Sequence, residues 1–350
     1  MLQLSNILIT LNEATQRLDL TFTSLESIER TNGFPVTWID IDDYSRKSIL
    51  YPAHDHVGNL VACLLTVAGT IPEVYRGRVD DFINPMVFSM TYDTNTKWLV
   101  GKDEVGTNIV EFVNNLLASD TRLFSIFGIT VTNNQIPEEH WYALKRDVTP
   151  GGDLDNDILT CLFPARKKCP YYNPGMKGGG LFMQYLPGIF LKERNLPMGI
   201  SAKNFASCQI DFAKMTNFPA WGVSSSEAPS GTNYLGWGGL KWRVVTPHAS
   251  ALAIEDYPDE VIKNLKFLES KGVRLKFIEY GQTNDFGFTD SFDVLSKEVC
   301  PHYLCLDQSM LFLSLANFLY DEVVREKFDS SSLGKNTNIK LKTLEPFIRN

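Results

Sequence analysis

The 350 residues carry 33 basic and 41 acidic side chains, a net charge of −8, and no run of Lys or Arg interleaves with aromatics, which argues against a nucleic-acid partner. No apolar run reaches the roughly 18 residues of a membrane span. With 44% hydrophobic and 12% aromatic residues the chain can bury a large core, and acidic balance with many aromatics suits neutral ligands with apolar faces, sugars among them.

The start, Met1-Leu2-Gln3-Leu4-Ser5-Asn6, lacks the basic region and small-residue cleavage site of a signal peptide. Export is therefore not expected, and a cytoplasmic location is favoured. No Ser/Gly linker, low-complexity tract or internal repeat divides the chain, so one domain over residues 1–350 is expected.

In chain order, helices are expected near 5–18, 20–31, Leu60–Ile71, 76–88, Ile109–Leu117, 122–131, 137–147, 181–191 and 202–216. Val261, Ile262, Leu265 and Leu268 predict another, capped at Asp259 and stopped at Gly272; Met310–Val324 predicts the last. Leu60–Ile71 and Met310–Val324 are apolar nearly all round, as inner helices covered on both sides would be. Strand signals are short, the best being Leu240–Thr246 and Val273–Tyr280. This pattern suits an all-α toroid of helical hairpins, with function on the long loops 34–58, 149–180, 219–248 and 281–306.

Six cysteines, at 63, 161, 169, 208, 300 and 305, form no CxxC pair. Cys63 and Cys208 read as small buried hydrophobes, and Cys161/Cys169 or Cys300/Cys305 would close disulfides in an oxidising compartment. Gly175–Gly180 lacks the spacing of a phosphate loop. Asp153, Asp155 and Asp157 alternate as in a calcium loop, but Ile158 and Pro164 replace the glycine and glutamate it needs. His54 and His56 flank Asp55 without a third ligand at metal spacing. Neither a metal nor a cofactor is expected.

The most informative stretch runs from Trp221 to Gly231. Its Glu227 lies among Ser and Gly between Trp221 and Trp237, where a partly dry cleft can raise a carboxyl into general-acid range. The plain alternative is a solvated surface glutamate. Asp40 follows Thr37-Trp38-Ile39; Asp55 opens the helix after Pro52 and could simply cap it. Asp290 lies between aromatics in Phe286–Phe292 with no structural job in view, and Asp307, in Tyr303–Gln308, could cap the last helix.

In this order the segments resemble the bacterial family of glucoamylase-like proteins that includes the β-1,2-glucanases. The family pattern runs W-x-D, a V-D-N-G-like turn, E-E-H-W, M-F-E-Y-L, W-G-x-S-x-S-E, Y-G-F-x-D-x-F and Y-L-G-I-D-Q. Thr37–Asp40, Asp55–Asn59, Glu138–Trp141, Phe182–Leu186, Trp221–Glu227, Phe286–Phe292 and Tyr303–Gln308 follow it over residues 34–320. The resemblance implies an (α/α)6 toroid, a glycan cleft across one rim, and glycoside hydrolysis by carboxylates on an oligo- or polysaccharide, β-1,2-glucan for example. Two departures stand out: Gln184 replaces the family Glu, and His56 replaces the Asn of the turn.

Glycoside cleavage needs one carboxyl to protonate the leaving oxygen and a second to activate water or attack carbon. Glu227 is the expected acid, with Asp290 and then Asp55 as the second group. Asp40, Asp307 and Gln184 are expected to bind sugar hydroxyls, and Trp38, Trp141, Trp221 and Trp237 to offer stacking faces. The alternatives are a carbohydrate-binding protein that has lost turnover, marked by Gln184, and a lyase or transglycosylase on the same fold.

Overall fold

The computed structural model describes residues 9–40, 42–43, 52–102, 108–132, 135–146, 180–232, 234–235, 243–279 and 282–344. Trp237, the Asp153–Asp157 run, most of the Gly175–Gly180 stretch and the Cys161/Cys169 pair lie outside them. The chain is mostly helical. Helix α1 (Leu11–Ser27) starts where the Thr10 hydroxyl accepts the Glu13 N–H at 3.2 Å. It merges the two N-terminal helices that the periodicity suggested. Helices α2 (His54–Thr70), α3 (Pro72–Ile83), α4 (Arg122–Thr130) and α5 (Glu139–Ala143) follow. Then come α6 (Leu181–Tyr185), α7 (Pro197–Thr216), α8 (Pro247–Ala251) and α9 (Pro258–Ser270). The last three are α10 (Cys305–Leu319), α11 (Val323–Ser330) and α12 (Ser332–Leu344). Helices α3, α7, α8 and α9 open on proline, whose missing N–H is no loss in a first turn.

Strands are short and, among the described residues, form two-stranded pairs. Among them are β1 (Arg30–Thr31) with β2 (Phe34–Pro35), and β3 (Leu99–Lys102) with β4 (Asn108–Asn114). Likewise β5 (Ser226–Glu227) pairs with β6 (Tyr234–Leu235), and β8 (Arg274–Glu279) with β9 (Gln282–Phe288). β7 (Val244–Val245) pairs with β10 (Phe292–Asp293). The helix expected over Ile109–Leu117 is therefore wrong. Its β-branched Ile109, Val110 and Val113 fit a strand as well as a helix, and the pairing with β3 decides between them.

The single helix expected over Met310–Val324 is broken. Asp321 and Glu322 take left-handed φ of 52° and 62°. The Asn317 side chain then accepts the Val324 N–H at 2.9 Å and donates to the Ile189 carbonyl at 2.9 Å, so an amide inside α10 starts α11. The stop at Gly272, with φ +82°, is as expected. Cys63 is exposed rather than buried, because α2 turns Val61, Ala62, Leu64 and Leu65 inward. Cys300 and Cys305 are free thiols.

Buried side chains gather in two clusters. One packs Phe34, Phe88, Phe124, Phe127 and Phe328 around α2 and α4; the other packs Phe205, Trp221, Val261 and Phe292 around α7 and α9. Helix α10 joins them, with Met310 and Leu313 on the first and Leu311 and Leu315 on the second, and Tyr185 touches both. No helix among the described residues is long and apolar enough to cross a membrane.

What positions the site is the alignment of helix starts. The His54 ring on α2 lies 4.6 Å from Phe124 of α4, and a Cβ on Gly58 would meet the Phe124 backbone N at 2.7 Å. Arg122, the first residue of α4, donates to the Gln184 carbonyl of α6 at 3.4 Å. Phe182 of α6 lies 6.4 Å from His248 of α8, and His248 lies 3.4 Å from Asp307 of α10. His54, Phe124, Arg122, Phe182, His248 and Asp307 all lie in the first turns of their helices, with Gly58 one turn further and Gln184 near the end of the short α6. Five helices thus begin side by side on one side of the molecule.

Candidate functional site

The stretch that carries Glu227 is held by side-chain amides acting as a surrogate strand. Asn264 of α9 accepts the Trp221 N–H at 3.1 Å and donates to its carbonyl at 2.9 Å. Gln209 of α7 does the same for Val223, at 2.8 and 2.9 Å. Between them Gly222 has φ +110°, and a Cβ there would lie 2.9 Å from the Thr246 carbonyl oxygen, so the turn requires glycine. Glu227 itself is gripped through its backbone. Its N–H donates to Asp290 Oδ2, and its carbonyl accepts from the Ser291 hydroxyl at 2.6 Å.

Beneath that grip lies a buried polar cluster. Asp290, 1% exposed, sits just after β9; Asp307, 5% exposed, is in the first turn of α10; His248, 2% exposed, is on α8. His248 Nδ1 is 3.7 Å from Asp290 Oδ1 and 3.4 Å from Asp307 Oδ2. Burial pushes the Asp307 carboxyl up to about 10, helped by its hydrogen bond to Asp290 and by the charges of Asp290 and Glu227. Burial also pushes His248 down to about 4 against the attraction of Asp290. Both shifts favour the uncharged forms, a protonated Asp307 beside a neutral imidazole.

That proton makes stability depend on pH. The folded chain keeps it up to about pH 10, whereas the unfolded chain releases it near the ordinary 3.8. The stabilising contribution is complete below the unfolded value and fades as pH rises. Across the neutral to mildly alkaline range this group alone should make stability fall as pH rises. Asp307→Asn, which carries no titrating proton and still offers an N–H to Asp290, should show a flatter slope. Urea unfolding across that range in EDTA buffer checks this, and parallel slopes for the two proteins would refute it.

A second acidic group lies at the starts of α2 and α4. Asp55, a third exposed, is in the first turn of α2, and His56 Nε2 is 3.5 Å from its Oδ2. Neither Asp55 nor Asp307 caps its helix: Ala53 and Leu304 hold the cap positions, without side-chain bonds. Asp120, just before α4, accepts from the Ser119 hydroxyl at 3.0 Å, and burial together with the charge of Asp55 pushes its carboxyl up to about 6. Trp38 is 62% exposed, with its ring edge-on to His56 at 6.0 Å, and Asp40 accepts the Asp42 N–H at 2.9 Å.

The remaining aromatic and amide expectations need correction. Trp141 is fully buried in the first cluster and Trp221 nearly so in the second, so both are core and neither offers a face to a sugar. Gln184 is fully buried, with Oε1 accepting from the Ser201 hydroxyl at 3.4 Å, and the cavity it borders is shared with Glu193, Arg194, Asp256 and Arg325 rather than with Glu227. Asp290 and Asp307 are under the Glu227 backbone rather than on a sugar-facing surface. Asp120 and His248 were missed. Neither stands in a conspicuous motif, and only the meeting of helix starts brings them to the site.

Comparison with known proteins places this arrangement. The model of a family described as "Putative glucoamylase" matches residues 118–332. The cyclic β-(1,2)-glucan synthase NdvB of Rhizobium meliloti (strain 1021) is 25% identical over 289 residues, which cover 78% of this chain and 10% of that protein. The chain thus spans about a tenth of the length of this curated relative. Among solved structures, a "putative glucoamylase" from Bacteroides uniformis superposes with a TM-score of 0.76 at 15% identity, covering 96% of this chain and 83% of that one. A β-1,2-glucanase from Parabacteroides distasonis gives 0.74 at 14% identity, covering 96% and 52%. The fold is the all-α (α/α)6 toroid of these proteins.

Proposed function

As the chain belongs to the glucoamylase-like family, we propose that it cleaves glycosidic bonds in an oligo- or polysaccharide, with a β-linked glucan such as β-1,2-glucan as the first substrate to try. The observation that carries this reading is the row of five helix starts, which gathers Asp55, Asp120, His248 and Asp307 from distant sequence onto one side of the ring. The names of the β-1,2-glucanase and the β-1,2-glucan synthase support the choice of glycan.

Glu227 acts as the general acid. Its half-buried position lets it reach a substrate while its backbone is fixed, and it protonates the leaving oxygen. Asp290, buried with one oxygen holding the Glu227 N–H, positions the acid rather than activating water. The second carboxyl is then Asp55, which is solvent-accessible and paired with Asp120. Trp38 supplies the stacking face. Incubating the chain with a panel of glycans, β-1,2-glucan included, and weighing the products tests this reading; a panel with no shortened product sinks it.

Trp38→Ala should weaken glycan binding by about 0.5–1.5 kcal/mol and change stability by no more than about 0.5 kcal/mol. Calorimetric titration with a soluble oligosaccharide, beside a melting curve, checks both. Unchanged affinity would remove Trp38 from the site. A second reading, glycan binding without turnover, rests on Gln184, a neutral amide where the family pattern that the sequence resembles has Glu. Measurable binding with no product from any glycan would establish it.

A further inference from the structure

We infer that His248, Asp290 and Asp307 form a binding site for one transition-metal dication of the zinc class, lying directly under the peptide of Glu227. The three ligands come from α8, from the turn after β9 and from the start of α10, and their donor atoms all lie within 4.8 Å of one another. All are more than nine-tenths buried. Both ring nitrogens of His248, Asp290 Oδ1 and Asp307 Oδ2 have no hydrogen-bond partner. Buried polar atoms almost always have one, and three orphans facing one another, Nδ1 and the two carboxylate oxygens, need a shared explanation.

The donor spacing selects the ion. A tetrahedral zinc ion with bonds of about 2.0–2.2 Å holds its ligands about 3.3–3.6 Å apart. Of the separations from the imidazole nitrogen, 3.4 Å falls on that edge and 3.7 Å just beyond it. Octahedral magnesium would need neighbours about 2.9 Å apart. Calcium would accept the spacing, but it takes oxygen ligands and leaves imidazole to zinc, copper, nickel and iron. Once Asp307 gives up its proton on binding, one imidazole and two carboxylates balance a dication and leave a fourth position open.

The site goes beyond the proposed activity and does not depend on it. Asp290 links the two: one oxygen holds the Glu227 N–H, and the other faces the metal position. A bound ion therefore stiffens the stretch that carries Glu227, whatever that residue does. No spacing in the sequence announces the site, because its ligands stand at positions 248, 290 and 307.

The test uses the full chain, stripped with EDTA, gel-filtered after exposure to zinc chloride, and assayed for metal by emission spectrometry. One zinc per chain is expected. His248→Ala should weaken zinc binding by at least about 100-fold, the upper range seen when only an outer-shell partner is lost. Circular dichroism of the metal-free proteins controls for folding. Wild type without retained zinc would overturn the site. So would a folded His248→Ala that binds zinc as tightly as wild type, since the ion would then sit elsewhere, on exposed Cys63 or Cys305 or beside His56. If His248→Ala does not fold, cobalt in the wild-type chain decides. Intense visible absorption of a low-coordinate ion supports the site, and the weak spectrum of six-coordinate cobalt overturns it.

Discussion

Glu227→Gln should cut glycan turnover about 10²–10⁴-fold, the usual range for losing a general acid, while the chain stays folded. Asp290 and Ser291 grip the backbone of residue 227, and both bonds survive the swap. Gln keeps the size of the side chain and one hydrogen-bonding face but has no proton to give. Stability should therefore move by no more than about 0.5 kcal/mol. A poor leaving group, such as a sugar hydroxyl, puts the loss toward the upper end of the range. Product mass on the active glycan, with a melting curve beside it, is the measurement. Activity within about threefold of wild type would reject Glu227 as the acid and move the role to Asp120, whose carboxyl lies near 6. Asp55→Asn should be as damaging if Asp55 is the second carboxyl.

The fold was largely legible because helix periodicity is a local signal. Val261, Ile262, Leu265 and Leu268 lie on one apolar stripe whatever the rest of the chain does, and Gly272 ends it. Signals that depend on a partner failed. Ile109–Val113 could satisfy either period, and only pairing with β3 makes it a strand. The break at Asp321 and Glu322 follows from Asn317, whose amide reaches forward to the next helix. The carboxylates of the candidate site, Glu227, Asp55, Asp290 and Asp307, stand in recognisable stretches of the sequence. Their roles were not legible there, because burial separates them: Asp55 is accessible, whereas Asp290 and Asp307 lie beneath the Glu227 backbone. Tryptophan misled for the same reason. Trp141 and Trp221 have the composition of a sugar platform, yet a large apolar ring is as useful in a core, and both are there.

Arg122→Met should destabilise the chain by about 3–5 kcal/mol, a large part of the margin of an ordinary fold. Arg122 is fully buried at the start of α4 and bonds Glu193 Oε1 at 2.6 Å, with Glu193 itself only 2% exposed. The same guanidinium donates to the Leu117 carbonyl at 3.2 Å and the Gln184 carbonyl at 3.4 Å. Removing it leaves two carbonyl oxygens without this donor and a carboxylate buried without its main counter-charge. Burial already raises the Glu193 carboxyl, and the Arg122 charge is the chief opposing influence. Without Arg122 the carboxyl rises further and stays protonated in the fold over a wider range. The unfolded chain still ionises near the ordinary 4.5, so the deficit should grow as pH rises above that value. Adding Glu193→Leu should recover most of the loss, because two apolar groups of similar volume leave no buried charge. Urea unfolding of the single and double variants at about pH 5 and pH 8 provides the cycle. A single variant within about 1 kcal/mol of wild type, or a double variant no better than the single, would show that this ion pair does not hold α4 against the segment between α6 and α7.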